Sequence, residues 1–374
     1  MTRASVLLVG MQPGLGGMHL PRHLARAGLA VYFAGVRNSL ASRSGHVRAL
    51  HPWQFGDDGL AVEPFISCVR RLQPQWVIPL DDLSALVLQQ IGIGRLHGSE
   101  APLPSDVVEL VRSSLGDPAG YPLFAARRRA FDTARVANIP IAPQADAATL
   151  QACLDFVGVH GYPVVLKQEE SVGGVGAFIL DSEAALRDFT ATGAFGQAGP
   201  PWVIQAFVAG ALGMHAVLAD RGRVLAQLSA VQVQRRSDRP TAPSSVVTLI
   251  QHDAMAASGA AFVAATGASG FHGWDFQLDA AGRALMIEHN PRAISISHLG
   301  HLLGSDLCRA LATACGAGSG QAAPVAHKPR DVALFPDEWL RDPLSPSLQD
   351  AFHDAPWDDR PLLTALLNER VRFV

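Results

Sequence analysis

Residues 5–35 impose the first constraint on how this chain can fold. SVLLVG reads as a buried strand, a turn with Pro13, Gly14, Gly16 and Gly17 follows, LPRHLARAGL has helical periodicity, and AVYFAG is a second apolar strand. Strand, glycine turn, helix and strand in so short a span make a βαβ unit, which commits the chain to a parallel sheet. A helix around 62–73, a strand QWVIPL at 75–80 and a helix over roughly 82–92 extend the pattern. The first 115 residues are therefore expected to form a small parallel α/β domain of Rossmann-like type.

The chain has 374 residues, and a single core stops growing near about 250–300 residues. More than one domain is required. Hydrophobic residues make up 48% and charged residues 17%, which excludes a disordered chain. A net charge of −3 gives no electrostatic reason to expect nucleic acid as a partner. The apolar runs are too short for a membrane span, and the N-terminal one is too short for a signal peptide. Cys68, Cys153, Cys308 and Cys315 are scattered without a C-x-x-C pair. That suits reduced thiols in a cytoplasmic protein.

Beyond a Pro- and Gly-rich loop over about 98–122, ARRRAFDTARVANIP reads as a helix ending near Asn138. ATLQACLDFVGVHG is a second helix, YPVVLKQ a strand, SVGGVGA a glycine loop and FIL a short strand. SEAALRDFTAT follows as a helix with Ser182 as its N-cap, and PWVIQAFV as a strand. AVLADRGRVLAQLSAVQVQ reads as one hairpin and HGWDFQLDAAGRALMIEHN as another, on either side of a helix at MAASGAAFVAATGA. A polar loop occupies about 235–245, and the tail from about 327 carries short helical pieces.

Three segments carry chemistry. YPVVLKQEESVGGVG puts Lys167 on a strand before Gly173, Gly174 and Gly176. A lysine there can reach a nucleotide's α/β-phosphates, and the loop can cover them with backbone N–H groups; a glycine-rich hairpin with a snorkelling lysine fits the same letters. Only Lys167 and Lys328 are lysines among 30 basic residues, the other 28 being Arg, so a lysine inside a coherent motif carries information. WVIQAFVAG can offer backbone groups to an adenine edge, or can be a core strand. In GWDFQLDAAGRALMIEHNPRA, Glu288 and Asn290 are two apart and share a sheet face. A turn near 280–282 brings Asp275 near residue 287 on the facing strand. Three oxygen side chains then converge, a partial shell of the kind Mg²⁺ takes, unless the face is merely a solvated polar one. Arg292 continues the alternation and can stabilise an oxyanion or phosphoryl group.

These segments, in this order, resemble the ATP-grasp superfamily over about residues 120–310, with a pre-ATP-grasp domain before them. The resemblance implies a pre-ATP-grasp domain over 1–115 and an ATP-grasp domain over 116–325. The latter would comprise a lid lobe at about 140–207 and a C-terminal lobe at about 208–325, with 326–374 as an extension packed on the core. It further implies that Lys167 and Arg127 bind phosphate, with Arg128 as the alternative register. Ser171 to Gly176 form the phosphate lid in this picture, and Gln205, Phe207 and Val208 border adenine. Asp275, Glu288 and Asn290 hold one or two Mg²⁺ ions, replaceable by Mn²⁺, and Arg292 stabilises the acyl-phosphate and the tetrahedral intermediate. The implied activity is ATP-dependent carboxylate–amine ligation of an amino acid or peptide, releasing ADP and phosphate, by a cytoplasmic enzyme compatible with a homodimer. Carboxylation, carbamoyl-phosphate formation and nucleotide binding without turnover are the alternatives. Members usually carry an acid after "vQ" and another after the following glycine; Ala206 and Ala211–Gly213 stand there instead. An Asp or Gln from elsewhere must then serve the ribose.

Four other features stay open. Gly10-x-x-Pro-Gly14-x-Gly16-Gly17 has the wrong spacing for a dinucleotide site and reads as a loop facing substrate. Asp81 and Asp82 end a strand, as helix caps or as a site. Arg235 and Arg236 can hold a substrate carboxylate or be solvated. His272, His289 and His298 are expected behind the metal ligands or facing substrate.

Overall fold

The computed structural model describes residues 3–14, 17–56, 59–96, 102–121, 127–168, 176–193, 195, 201–317 and 329–368, without the side chains of 127 and 128. The first sheet contains β1 (Ser5–Gly10), β2 (Ala30–Gly35), β3 (Val47–Pro52) and β4 (Trp76–Pro79), in the order β3-β2-β1-β4. Its pairs are all parallel, as the βαβ pattern requires. β1 is buried along its whole length, which explains its unbroken apolar run. β3 was not expected. It is an edge strand with no buried residue, VRALHP, so it lacks the apolar run that marks its neighbours.

The second sheet is antiparallel and contains β5 (Gln144–Asp146), β6 (Val164–Gln168), β7 (Ala177–Leu180) and β8 (Trp202–Ala206), in the order β5-β8-β6-β7. Helices Leu150–His160 and Glu183–Ala191 cover it; Thr149 and Ser182 accept their N-terminal N–H groups. Cys153, Phe156, Leu166, Leu186 and Ile204 form its own core. This lobe is a separate unit of packing.

The third sheet has seven strands: β9 (Ala211–Asp220), β10 (Arg223–Arg235), β11 (Ser244–Ile250), β12 (Gly270–Leu278), β13 (Ala284–Asn290), β14 (Arg330–Ala333) and β15 (Phe352–His353). Their order is β13-β12-β9-β10-β11-β14-β15. The tail has the expected short helices, Asp337–Arg341, Ser347–Asp350 and Arg360–Asn368, and also supplies two strands of the large sheet. Helix Ser105–Leu115 occupies the stretch expected as loop; Val107, Val108, Val111 and Leu115 are its buried stripe, and the flanking Pro and Gly residues obscured it. The first and third sheets share one core, in which Leu7, Val9 and Val77 pack in the same cluster as Val217, Phe262 and Trp274. No helix among the described residues is long and apolar enough to cross a membrane.

Candidate functional site

A cleft of about 450 Å³ opens between the second and third sheets, in the size range of small-molecule sites. Lys167, Gln205, Phe207 and Val208 line it from the lid side, and Asp275, Glu288, Asn290 and Arg292 from the large sheet. Asp82 reaches it from the end of β4.

The β12–β13 hairpin builds the acidic wall. From its turn, Leu278 pairs with Ala284 and Phe276 with Met286, a register that would set Asp275 opposite Ile287. A β-bulge intervenes, and Asp275 pairs with Glu288, Trp274 with His289 and Gly273 with Asn290. The expected neighbourhood of Asp275 with residue 287 is therefore off by one, because uniform alternation cannot anticipate a bulge. Its consequence is that Ile287 and Glu288, consecutive in sequence, both line the cleft, while Met286 and His289 face the core. Two carboxylates and one amide oxygen thus share a wall, a hard-donor set that fits Mg²⁺.

The bulge also settles Lys167. Its Nζ donates to the Ile287 carbonyl at 3.2 Å and to Gln205 Oε1 at 2.8 Å. Gln205 in turn donates from Nε2 to Gln144 Oε1 at 3.2 Å. Gln205 is buried beside Lys167 as well as lining the cleft, so it orients the ammonium in addition to bordering the expected adenine pocket. Phe207 and Val208 follow on the connector out of β8. At Gly210 the backbone has φ +147, and a Cβ there would sit 1.8 Å from the Leu278 carbonyl oxygen, so only glycine lets the connector run against β12. The Gly210 carbonyl accepts from Gln277 Nε2 at 2.7 Å. Gln277 lines the cleft close to where the acids after the connector are missing; it lies two residues from Asp275 on the same face, a signal available to sequence reading but not used. Gln232 and Thr241 also line the cleft and were not anticipated.

Arg292 makes a two-pronged ion pair with Asp82, Nε to Oδ1 at 2.8 Å and Nη2 to Oδ2 at 3.1 Å, and donates to Asn290 Oδ1 at 3.3 Å. Burial by itself would lower its pKa, but the carboxylates of Asp82, Glu288 and Asp81 raise it above the ordinary value. Asp81 and Asp82 have different jobs. Asp81 is the N-cap of helix Asp82–Gly92, in a capping box with Ser84, and its Oδ2 accepts from the N–H groups of Met11 and Gln12 at 2.8 and 3.2 Å. It ties the glycine turn after β1 to β4. Asp82 is not a cap and faces the cleft.

Gly176 is buried, and its carbonyl accepts the Gln168 N–H at 2.9 Å. Ser171, Gly173, Gly174 and the side chains of Arg127 and Arg128 lie outside the described residues. Arg235 lines the cleft, whereas Arg236 turns to Asp337 with an N–O distance of 3.8 Å. His272 and His289 are neither behind the oxygen ligands nor facing substrate. Their rings stack in the core at 5.5 Å beside Trp274 and Phe262, because His272 lies on the face of β12 opposite Asp275 and the bulge turns His289 to the side opposite Glu288. His298 lies elsewhere, against His19.

Residues 126–311 match the family model "Carbamoyl-phosphate synthase L chain, ATP binding domain". The phosphoribosylamine–glycine ligase of Vibrio cholerae is 28% identical over 63% of this chain and 60% of its own length, and that of Pseudomonas putida 32% identical over 40% and 36%. The chain spans between about a third and three fifths of these relatives. The fold is also that of N5-carboxyaminoimidazole synthetase from Staphylococcus aureus solved with ADP, with a TM-score of 0.63, 10% identity and coverage of 88% of this chain and 81% of that one. The biotin carboxylase domain of Hydrogenobacter thermophilus 2-oxoglutarate carboxylase, solved with MgADP and bicarbonate, gives a TM-score of 0.61 at 16% identity over 87% of this chain and 72% of that one.

Proposed function

The chain belongs to the ATP-grasp superfamily, and on that premise we propose that it is an ATP-dependent carboxylate–amine ligase that works through an acyl-phosphate. One observation carries this reading: Lys167, the Asp275–Glu288–Asn290 oxygen set and Arg292 converge on a single cleft that also carries an apolar strip. The strip of Val165, Ile179, Phe207, Leu212 and Met214 suits an adenine ring, with Gln277 in place of the missing ribose acid. Residues 1–115, 116–325 and 326–374 serve as pre-ATP-grasp domain, ATP-grasp domain and extension in this reading. Its small-molecule substrates are an amino acid or peptide and an amine, met in the cytoplasm.

A substrate carboxylate oxygen attacks the γ-phosphorus, the bond to the β–γ bridging oxygen breaks, and ADP leaves. The amine nitrogen then attacks the acyl carbon, the carbon–oxygen bond to phosphate breaks, and the nitrogen loses its proton. No enzyme nucleophile is needed. Lys167, with Arg127 and the Ser171–Gly176 lid, holds the nucleotide phosphates, and Lys167's compact charge is steered by Gln205 and the Ile287 carbonyl. Arg292 faces the charge that develops on the acyl-phosphate and the tetrahedral intermediate. Asp275, Glu288 and Asn290 would hold Mg²⁺, which would neutralise phosphate charge there.

The test is product identity with amino-acid and peptide panels as acid and amine. ADP and phosphate should appear only when a carboxylate acceptor is present. AMP and pyrophosphate as the products would overturn the reading. Phosphate release that needs bicarbonate and no other acid would move it to carboxylation, and nucleotide binding without any turnover would leave a regulatory ATP binder.

A further inference from the structure

Outside the cleft lining, histidines gather where the C-terminal segment packs against the N-terminal domain. His19 precedes helix Leu20–Arg26, His298 precedes the turn Leu299–Leu303, and Asp354 follows β15. All three are buried, at 5%, 4% and 2% exposure. Asp354 Oδ2 lies 3.5 Å from His19 Nε2 and 3.2 Å from His298 Nε2, and the three ligand atoms all lie within 4.8 Å of one another. Neither Nε2 makes a hydrogen bond. The other carboxylate oxygen of Asp354 accepts the Phe335 N–H, which fixes the orientation of the group. Arg22 lies close enough to favour the charged carboxylate, but its guanidinium donates to the Asp354 and Ala355 carbonyls and to Asp358 Oδ1.

A buried carboxylate is costly without a cation. Burial also pushes both imidazoles down, His19 to about 3 and His298 well below the ordinary value, so both are uncharged at neutral pH. A neutral imidazole carries its proton on one ring nitrogen, and the tautomer protonated at Nδ1 presents an Nε2 lone pair to the site. In a tetrahedral zinc site with bonds of about 2.0–2.1 Å, neighbouring ligand atoms are roughly 3.4 Å apart. The two distances to Asp354 Oδ2 bracket that spacing.

We propose that His19 Nε2, His298 Nε2 and Asp354 Oδ2 bind one divalent transition cation of the Zn²⁺ class, which clips the C-terminal segment to the N-terminal domain. Two imidazoles and one carboxylate suit Zn²⁺ and not the oxygen-seeking Mg²⁺. His23, whose Nε2 is likewise buried without a hydrogen bond and whose ring centroid is 5.1 Å from that of His298, is the next donor in reach. The site lies outside the cleft and does not depend on the ligase reading.

The experiment uses the full chain without an affinity tag, stripped with chelator and reloaded with Zn²⁺ or Co²⁺ in the absence of nucleotide. Elemental analysis should find about one ion per chain, and Zn²⁺ should raise the thermal midpoint. H298Q and D354N should lose the ion and the shift, with affinity falling by at least about a hundredfold. E288Q, which alters only the cleft, should keep both. A parent protein that binds no Zn²⁺, or H298Q and D354N proteins that bind it as the parent does, would overturn the proposal. Should those two variants not fold, the parent's Co²⁺ absorption decides: tetrahedral d–d bands support the site, and an octahedral spectrum overturns it.

Discussion

Arg292 and Asp82 are joined by two hydrogen bonds, at 2.8 and 3.1 Å, across 210 residues of chain. The pair fastens the first sheet to the cleft wall, and it fixes the guanidinium plane in a way a single contact would not. If Arg292 faces developing charge, Arg292→Ala should lower kcat by about a hundredfold or more. Asp82→Asn keeps the shape and weakens the grip, so its loss in kcat should be near tenfold, with KM for ATP little changed. Steady-state phosphate release separates the two; an Asp82→Asn enzyme altered only in its KM for ATP would remove the positioning role.

Lys167 sits between two acceptors, Gln205 Oε1 and the Ile287 carbonyl, at 2.8 and 3.2 Å. A guanidinium is wider and longer than an ammonium and cannot occupy that point. Lys167→Arg is expected to weaken ATP binding by about tenfold and Lys167→Ala by more, with turnover reduced in both. Nucleotide titration by calorimetry reads the affinity, and unchanged binding in Lys167→Ala would show that β6 has been assigned the wrong role.

Asp275 and Glu288 are direct cross-strand partners. Like charges so placed destabilise the hairpin unless a cation lies between or above them. Glu288→Gln should therefore remove most activity at saturating Mg²⁺, by about a hundredfold, while leaving the fold intact or slightly more stable. Asp275→Asn should raise the Mg²⁺ concentration needed for half-maximal rate. Circular dichroism controls for folding. Parent-like turnover in Glu288→Gln would take the main support from the ligase reading.

His215 and His272 are buried, and burial lowers each to about 4 from an ordinary 6.5. The unfolded chain binds more protons than the folded one between those values, so stability falls as pH drops from 6.5 toward 4 and is fully present above 6.5. Asp337, raised by burial to about 6, acts in the opposite sense between its own two values, but histidines lowered by burial outnumber the aspartates it raises. Urea midpoints measured at constant ionic strength should decline from pH 7 to pH 5. A flat profile would mean that the imidazoles meet water in the native state.

The strand bearing Lys167 and the Glu288-x-Asn290 hairpin were legible from the letters alone, because alternation dictates which residues share a face. So was the parallel first sheet, since β1 is buried on both sides and its run is uninterrupted. What tertiary structure decided were the relationships between segments that no local pattern encodes. The bulge at Ile287 sets Asp275 opposite Glu288 and turns a backbone carbonyl toward Lys167, and a period of two carries no trace of one extra residue. Asp82 looked like half of a helix cap, and only the packing of the first sheet against the third brought it to Arg292. β14 and β15 are too short to announce themselves; they are strands because β11 leaves an edge for them. His19 lies 279 residues before His298 and Asp354 another 56 beyond it, and no local pattern joins the three. Local periodicity specifies which way a side chain points, whereas what it meets is set by the burial of distant surfaces against one another.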